Sequence, residues 1–201
     1  MLIRRWMTKH PAVIGSSETL AEARRKMDKG NYRRLPVMEG GEMVGIITDR
    51  DLRQQAGQLE HTRVDAVMAK PVITVTPDML LDQAAHLFVK HKVGGLPVVE
   101  GGKLVGIITA IDMLRAFAKV LGTTEEGVSR IDLEFSGVSF DLATIASLVG
   151  QSSGELLGMG SYESEADREA RTIYVRVRAE DARRVADMLT ENDFTVVAIH
   201  Q

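Results

Sequence analysis

Hydrophobic and polar positions in the first 120 residues form a pattern that occurs twice, at an offset of 61 residues. The clearest stretch is residues 35–51, which match residues 96–112 at 12 of 17 positions. Each copy combines a short Leu-Pro-Val strand, a Gly-Gly turn and a second strand rich in isoleucine, with a helical pattern before and after this hairpin. A hairpin with a helix on one face leaves its other face uncovered, so we expect the two copies to pack sheet against sheet.

The spacing of apolar residues gives approximate bounds for these elements. Ser17 stands at the start of the first helical pattern, where serine is a favourable N-cap. A helix therefore follows it in the first copy, and an equivalent helix is expected in the second. The predicted helices are residues 17–27 and 78–90, the isoleucine-rich strands are residues 43–48 and 104–109, and the helices that follow them end near residues 55 and 120.

Beyond residue 122 the pattern changes. Residues 123–129 are polar and contain glycine, which is typical of a linker. The remainder alternates strand-like and helical spacing in the order β-α-β-β-α-β, which is typical of a ferredoxin-like split βαβ unit. The first predicted strand begins at residue 131, and the other strands are residues 156–162, 172–178 and 194–199. The predicted helices are residues 142–149 and 181–192.

The composition indicates a globular protein and excludes several kinds of site. Hydrophobic residues make up 44% and charged residues 26%, which argues against disorder. There is no cysteine, so disulfides, thiolate zinc sites, iron–sulfur clusters and cysteine nucleophiles are excluded. No apolar run approaches the roughly 18 residues needed to span a bilayer, and the first residues lack the apolar segment of a signal peptide. We therefore expect a soluble, cytoplasmic protein without a membrane partner.

Charge is divided unevenly along the chain. Residues 1–122 contain 18 basic and 13 acidic side chains, whereas residues 123–201 contain 7 basic and 15 acidic ones. This step favours two domains with different partners, of which the first attracts anions. The alternative is that surface charge simply varies between domains.

The sharpest local motif is Gly-Ile-Ile-Thr-x-x-Asp, which ends the isoleucine-rich strand of both copies. The free amide groups of a helix start attract phosphate, the threonine hydroxyl can donate to a phosphate oxygen, and the aspartate can accept from ribose hydroxyls. The same pattern is also close to a helix capping box, so the residues leave both roles open. The pairs are Thr48 with Asp51 and Thr109 with Asp112.

Together with the Leu-Pro-Val strand and the Gly-Gly turn, the twin motif resembles a tandem CBS pair, or Bateman module, over about residues 2–120. The resemblance implies an α+β fold in which two β-α-β-β-α repeats, at about 2–60 and 61–122, form a pseudo-twofold pair. Its two clefts would bind AMP, ADP, ATP or sometimes S-adenosylmethionine. By that similarity the aspartates hold ribose hydroxyls, the threonines contact ribose or phosphate, and the backbone of Val13-Ile14 and Thr74-Val75 cradles adenine.

Arg33 and Arg34 precede the Leu-Pro-Val strand of the first repeat, where that family often carries a phosphate-binding arginine. The second repeat has Gly94 and Gly95 instead. The repeats are therefore expected to bind phosphate unequally, with one charge-assisted contact from Arg34 and a second cleft that is weaker or empty. A solvated basic patch is the other interpretation of the two arginines.

Residues 130–201 resemble an ACT domain in the order of their elements, and a CBS pair followed by an ACT-like domain resembles the AcuB-type acetoin-utilisation proteins. ACT domains that bind amino acids usually carry an aspartate-rich, proline-glycine loop after the first strand. Here that loop, Ser136 to Asp141, has no proline, and Gly137 fits either a plain turn or a close ligand approach. Both kinds of module usually dimerise, so the resemblance implies a homodimer.

No pattern indicates an enzyme. The five histidines show no metal-ligand spacing, and the chain has no P-loop, nucleophile elbow or dinucleotide fingerprint. Aromatic residues make up 4%, too few for a base-stacking nucleic-acid surface. We therefore predict a non-enzymatic, allosteric sensor of adenine nucleotides, without a resident cofactor or metal, that acts on its ACT-like domain or on a partner enzyme. An S-adenosylmethionine sensor and a nucleotide-independent interaction or oligomerisation module remain as alternatives.

Overall fold

The computed structural model of the chain describes residues 1–121, 126–135, 142–163, 171–180 and 182–200. The chain divides into two units, Met1–Phe117 and Ala118–Gln201. The first three residues of the predicted linker, the loop that contains Gly137 and the predicted first residue of the last helix lie outside the described residues. Among the helices that are described, none has the length and hydropathy needed to cross a bilayer.

The first repeat has the predicted order of strand, helix, hairpin and helix. Strand β2 pairs in parallel with β3, and β3 pairs antiparallel with β4. Gly40 and Gly41 have φ angles of +57° and +91°, which suit the tight two-residue turn of this hairpin. The elements are β1 (Thr8–Lys9), β2 (Ile14–Gly15), α1 (Leu20–Gly30), β3 (Arg34–Glu39), β4 (Glu42–Thr48) and α2 (Asp49–Gln54).

The second repeat follows the same plan, with one shortened element. Where the first repeat has β2, the second has a single parallel bridge between Val75 and Val98. Its elements are α3 (Leu81–His91), β5 (Gly95–Glu100), β6 (Lys103–Thr109) and α4 (Ala110–Val120). Strands β4 and β6 of the two repeats lie against each other, in line with the predicted packing of sheet on sheet.

Helix α1 begins later than the sequence pattern indicates, because its N-cap is Thr19 and not Ser17. Thr19 Oγ1 accepts the Glu22 N–H at 3.2 Å, and the Glu22 carboxylate accepts the Thr19 N–H at 2.7 Å. A capping box needs an acidic or amide side chain three residues after the cap. Glu22 stands at that distance from Thr19, whereas Leu20 stands at that distance from Ser17.

The segments that lead into the two repeats are exchanged between them. The N-terminal segment lies on the second repeat: Ile3 N–H donates to Met79 O at 3.0 Å, and β1 pairs with β6. The segment that leads into the second repeat lies on the first: Leu20 N–H donates to Thr62 O at 2.9 Å, and Ala69 bridges to β4. Each repeat therefore completes its hydrogen bonding with the leading segment of the other.

Two equivalent methionines, one from each leading segment, pack against a glycine of the other repeat. Met68 lies on Gly45 of the first repeat so closely that a Cβ at Gly45 would overlap its sulfur. Met7 lies on Gly106 of the second repeat, where an added Cβ would be 2.7 Å from the Met7 sulfur. Glycine in the two motifs thus makes room for a side chain from the other leading segment.

Each repeat has its own hydrophobic core. Burial of such aliphatic side chains stabilises a fold by about 1.5–3 kcal/mol each. The first core consists of Ile14, Leu20, Ala23, Met27, Leu35, Val37, Ile47, Leu52 and Val64. The second consists of Ile3, Val75, Leu81, Ala84, Phe88, Leu96, Val98, Ile108, Met113 and Ala116, with Trp6 packed against it.

The described part of the second unit has the predicted order β-α-β-β-α-β. Its sheet is antiparallel throughout, in the order β10-β7-β9-β8. Strand β7 starts inside the predicted linker because Val128 already pairs with Arg178. The elements are β7 (Val128–Phe135), α5 (Leu142–Gln151), β8 (Glu155–Glu163), β9 (Arg171–Arg178), α6 (Ala182–Glu191) and β10 (Thr195–His200).

The two faces of this sheet differ in character. On one face, alternate residues of β7 and β9, such as Ile131 and Val175, are fully buried in a core with α5 and α6. On the other face, Arg130 forms an ion pair with Asp132 at 2.6 Å and lies over the ring of Tyr174, with its guanidinium carbon 4.6 Å from the ring centroid. The hydrogen bond to Asp132 raises the pKa of Arg130 above its ordinary value. This face thus holds a buried carboxylate, which its neighbouring arginine compensates.

Candidate ligand-binding site

Strands β4 and β6 each run directly into a helix, and both junctions are closed by the same hydrogen bonds. Thr48 has extended backbone angles; its hydroxyl donates to Asp51 Oδ2 at 2.6 Å, and its N–H donates to the same oxygen at 2.8 Å. The Thr48 hydroxyl in turn accepts the Asp51 N–H at 3.4 Å. Thr109 and Asp112 repeat this arrangement at 2.6, 2.9 and 3.3 Å. The capping interpretation of the motif is therefore confirmed in both repeats.

Capping does not use the whole of either carboxylate, because all of these bonds fall on Oδ2. Asp51 Oδ1 makes no hydrogen bond within the described residues. Asp112 Oδ1 lies 3.5 Å from the guanidinium of Arg115, whose side chain is 72% exposed. Each carboxylate keeps an oxygen that can accept from a ligand hydroxyl. The cap and the predicted ribose contact are thus compatible.

The two arginines before β3 lie beside the first of these junctions. Arg34 stands opposite Thr48 in the hairpin register, and the carbonyl of Arg33 accepts the Asp49 N–H at 3.0 Å. In the second repeat Gly95 stands opposite Thr109 in the same way. The sequence-predicted residues Arg34, Thr48 and Asp51 are therefore brought together.

The Arg34 side chain extends to the other repeat. A Cβ built on Gly95 would lie 2.6 Å from Arg34 Cδ and 2.7 Å from its Nη1, and one built on Gly94 would lie 2.5 Å from its Nη2. The pKa of Arg34 lies below its ordinary value, mainly because of burial. Asp49 opposes this lowering, and Arg33 adds to it. In the part of the chain that the structure describes, Arg34 forms no ion pair within 4.0 Å. A guanidinium remains charged in proteins, so a half-buried positive charge lies between the two repeats.

Some backbone groups of the segments predicted to cradle adenine already form hydrogen bonds within the protein. The Val13 carbonyl accepts from Lys26 Nζ at 3.2 Å, and Ile14 is buried. In the second repeat Val75 donates to Pro97 and accepts from Val99. Thr74 beside it is exposed. Adenine binding by these segments stays a prediction.

Sequence reasoning missed the side chains that surround Val13. Lys26 pairs with Glu18 at 3.1 Å, and Glu18 also accepts the Gly15 N–H at 2.7 Å. The equivalent residues of the second repeat are Leu87 and Met79. A polar pair in one copy at positions that are apolar in the other was the signal that could have found them.

A cleft with a volume of about 340 Å³ lies between β4 of the first repeat and the β5–β6 hairpin of the second. Its size is at the lower end of the range for small-molecule sites, about 300–1,000 Å³. Thr74 is the predicted site residue that lines it, whereas Thr48 and Thr109 stand at the far ends of their strands. The lining residues are Met43, Val44, Pro71, Val72, Thr74, Val99 and Gly102. Both repeats therefore shape this cleft, and of its lining residues the sequence had marked only Thr74.

No group of three metal-ligating side chains occurs among the residues whose structure is described.

Comparisons with known proteins concern the first unit. The family model of the CBS domain matches residues 3–56 and again residues 64–119. YhcV, a CBS domain-containing protein of Bacillus subtilis, is 36% identical over 110 residues, which are 53% of this chain and 79% of YhcV. Of several longer curated relatives the chain spans only 23–46%.

Solved structures give the same result. An AcuB-like protein from Vibrio cholerae is 32% identical, with a TM-score of 0.57, over 63% of this chain and 98% of that one. The CBS domain pair of protein MJ0100, in complex with 5′-methylthioadenosine and S-adenosyl-L-methionine, is 30% identical, with a TM-score of 0.54, over 62% of this chain and 98% of that one.

Proposed function

Because the chain belongs to the CBS-domain family and carries two such domains, we propose that its first unit is a regulatory sensor that binds an adenosine-containing ligand. Two observations carry this proposal: Asp51 keeps a carboxylate oxygen, and Arg34, opposite Thr48 in the hairpin register, keeps a guanidinium, and neither forms a hydrogen bond or ion pair among the described residues. One can accept from ribose hydroxyls and the other can donate to phosphate. The bound adenosine compounds of the similar MJ0100 pair support the ligand class.

Within that class we propose AMP, ADP or ATP as the ligand. A half-buried arginine that lacks a close carboxylate favours an anionic ligand, since the charge is only partly compensated by Asp49. S-adenosylmethionine is the second candidate, because it is bound in the MJ0100 structure. Its sulfonium carries a positive charge, so Arg34 would disfavour it.

Signalling is proposed to run through α4. This helix carries Asp112 in its first turn and ends at Val120, beyond Phe117, the last residue of the first unit. A ligand that prefers one position of α4 shifts the population toward that position. The recipient is proposed to be the ACT-like domain, whose strand order supports the ferredoxin-like assignment, or a partner enzyme. We propose a homodimer as the working assembly, and no catalytic step by the chain itself.

Calorimetric titration of the full chain with AMP, ADP, ATP and S-adenosylmethionine tests the proposal. Asp51→Ala should weaken the tight binding of the preferred ligand by about 10-fold, because it removes the acceptor for ribose hydroxyls in the repeat that carries Arg34, and Asp112→Ala should weaken binding at the second, weaker site in the same way. Asp82→Ala is the matched control, since Asp82 is an exposed carboxylate on α3. A ligand at 100 times its dissociation constant should also stabilise the protein by about 2.7 kcal/mol.

Two results would overturn the proposal. One is the absence of any saturable binding or thermal shift with millimolar ligand, which would favour a nucleotide-independent interaction module. The other is binding that neither aspartate variant weakens, because the ligand would then occupy some other part of the chain.

A further inference from the structure

Arg34, which begins β3, lies where both repeats can use it. Arg34 and Thr48 are directly opposite in the β3–β4 hairpin, so their side chains lie on the same face of the sheet. Leu35, the next residue, is fully buried in the core of the first repeat. Arg34 therefore points away from that core, toward the second repeat.

Gly94 and Gly95 receive this side chain. Three Arg34 atoms would lie within 3 Å of a Cβ on Gly95, so an alanine there could be accepted only if the arginine moved. Gly95 is itself opposite Thr109, and opposite residues of an antiparallel pair have Cα atoms about 4.5–5.5 Å apart. The guanidinium thus lies beside the junction of the second repeat while its backbone belongs to the junction of the first. We name Gly94 and Gly95 the arginine slot.

We infer that Arg34, held in the arginine slot, is one phosphate anchor shared by both repeats, so that the chain binds a single phosphorylated adenosine ligand at a time. This inference rests on the proposed function and adds its stoichiometry and charge selection. Once one phosphate has paired with the guanidinium, a second phosphate at the same place meets net negative charge and is repelled. A ligand without phosphate meets no such repulsion and can occupy both repeats.

The slot explains why the second repeat carries glycines where the first carries arginines. A second arginine at position 95 would compete with Arg34 for the same space and bring like charges together. The missing arginine is therefore not simply a loss from the second repeat. The two glycines leave the space that the Arg34 side chain occupies.

Titration of the full chain with AMP and with 5′-methylthioadenosine, which shares the nucleoside but has no phosphate, tests this inference. The wild type should bind one AMP per chain tightly and a second at least about 10-fold more weakly, whereas 5′-methylthioadenosine should bind at two sites of similar affinity. Arg34→Ala should weaken AMP binding about 10- to 100-fold and leave 5′-methylthioadenosine unchanged.

Gly95→Ala is the sharper variant, because it displaces Arg34 without removing its charge. It should reduce the preference for AMP over 5′-methylthioadenosine by about as much as Arg34→Ala does. Lys29→Ala, which removes an exposed positive charge on α1, and Gly57→Ala, at an exposed glycine with open space around it, are the matched controls and should leave the preference unchanged.

The outcomes separate the inference from the proposed function. If the wild type binds neither of these compounds, nor ADP, ATP or S-adenosylmethionine, the proposed function fails. If it binds them but takes two AMP molecules with equal affinity, or if Gly95→Ala leaves the AMP preference intact, the proposed function stands and the shared anchor is wrong. Unfolding curves of the variants without ligand confirm that each is folded before titration.

Discussion

Replacement of Thr48 by valine tests whether the threonine of the motif is held by the protein itself, before any ligand arrives. Valine keeps the branched shape of the side chain and has a methyl group in place of the hydroxyl. In the structure that hydroxyl donates to Asp51 Oδ2 at 2.6 Å and accepts the Asp51 N–H at 3.4 Å. The Thr48 N–H still donates to Asp51 in the variant, so one of the three bonds at this helix start remains.

The expected loss of stability follows from these bonds. Loss of a threonine N-cap typically destabilises a protein by about 1 kcal/mol, within a range of about 0.5–2. The short hydrogen bond from the Thr48 hydroxyl to the Asp51 carboxylate is charge-assisted, which raises the expected loss of stability. Thr48 is only half-buried, so water replaces part of what is lost. Helix α2 has six residues and is held mainly by its cap and by the buried Leu52, which gives an expected loss of about 1–1.5 kcal/mol.

Tryptophan fluorescence provides a selective assay for this variant. Trp6 is the only tryptophan of the chain and packs against the core of the second repeat, so its emission follows unfolding of the first unit. Urea unfolding without ligand gives the free energy for the wild type and for Thr48→Val. Thr62→Val is the control, because Thr62 is half-buried and its hydroxyl forms no hydrogen bond in the described part of the chain. A loss below about 0.3 kcal/mol for Thr48→Val would refute the cap.

Three further changes have defined outcomes. Gly45→Ala should cost about 1–3 kcal/mol in the same fluorescence assay, since the added methyl group overlaps the Met68 sulfur; Met68→Ala in that background should recover part of the loss, and an unchanged midpoint for Gly45→Ala would contradict this packing. Hydrogen bonds from Thr19 lower the pKa of Glu22 below its ordinary 4.5, so its contribution to stability is present above that pH and lost as the pH falls through the lowered pKa. Glu22→Gln should remove this dependence from urea unfolding measured at acid pH, and an identical pH profile would disprove the assignment. Asp132→Asn should destabilise the second unit by about 1–3 kcal/mol by circular dichroism without shifting the tryptophan transition, because it leaves the adjacent arginine without its buried counter-charge.

The repeated architecture could be predicted from local sequence, because its signals are short-range and occur twice. Two consecutive glycines between apolar runs specify a tight turn, and the structure places both in the positive-φ region. The alternation of Ile173, Val175 and Val177 with more polar residues indicated a strand with one apolar face, and all three are buried in β9. The capping role of the threonine–aspartate pairs was likewise readable from their spacing.

Features that depend on which repeat a residue touches could not be predicted. The offset of 61 residues identifies Met7 and Met68 as equivalent, but equivalence does not reveal that each lies on the other repeat. For the same reason Gly95 was interpreted as a missing arginine and not as the space for Arg34. Such relations arise from tertiary packing, to which periodicity and propensity along the chain are insensitive.

The exchange of leading segments has a consequence for how a protein of this kind can be assembled from a single copy. In a chain with one repeat, the leading segment would find no second hairpin to pair with. The glycine of its motif would also lack the methionine that packs on it here. Two such chains could complete each other's hydrogen bonding only by exchanging their leading segments in a symmetric dimer. Joining two copies in tandem places both halves of such a dimer in one polypeptide, and an arginine on one side alone makes the two sides of the pseudo-twofold axis chemically unequal.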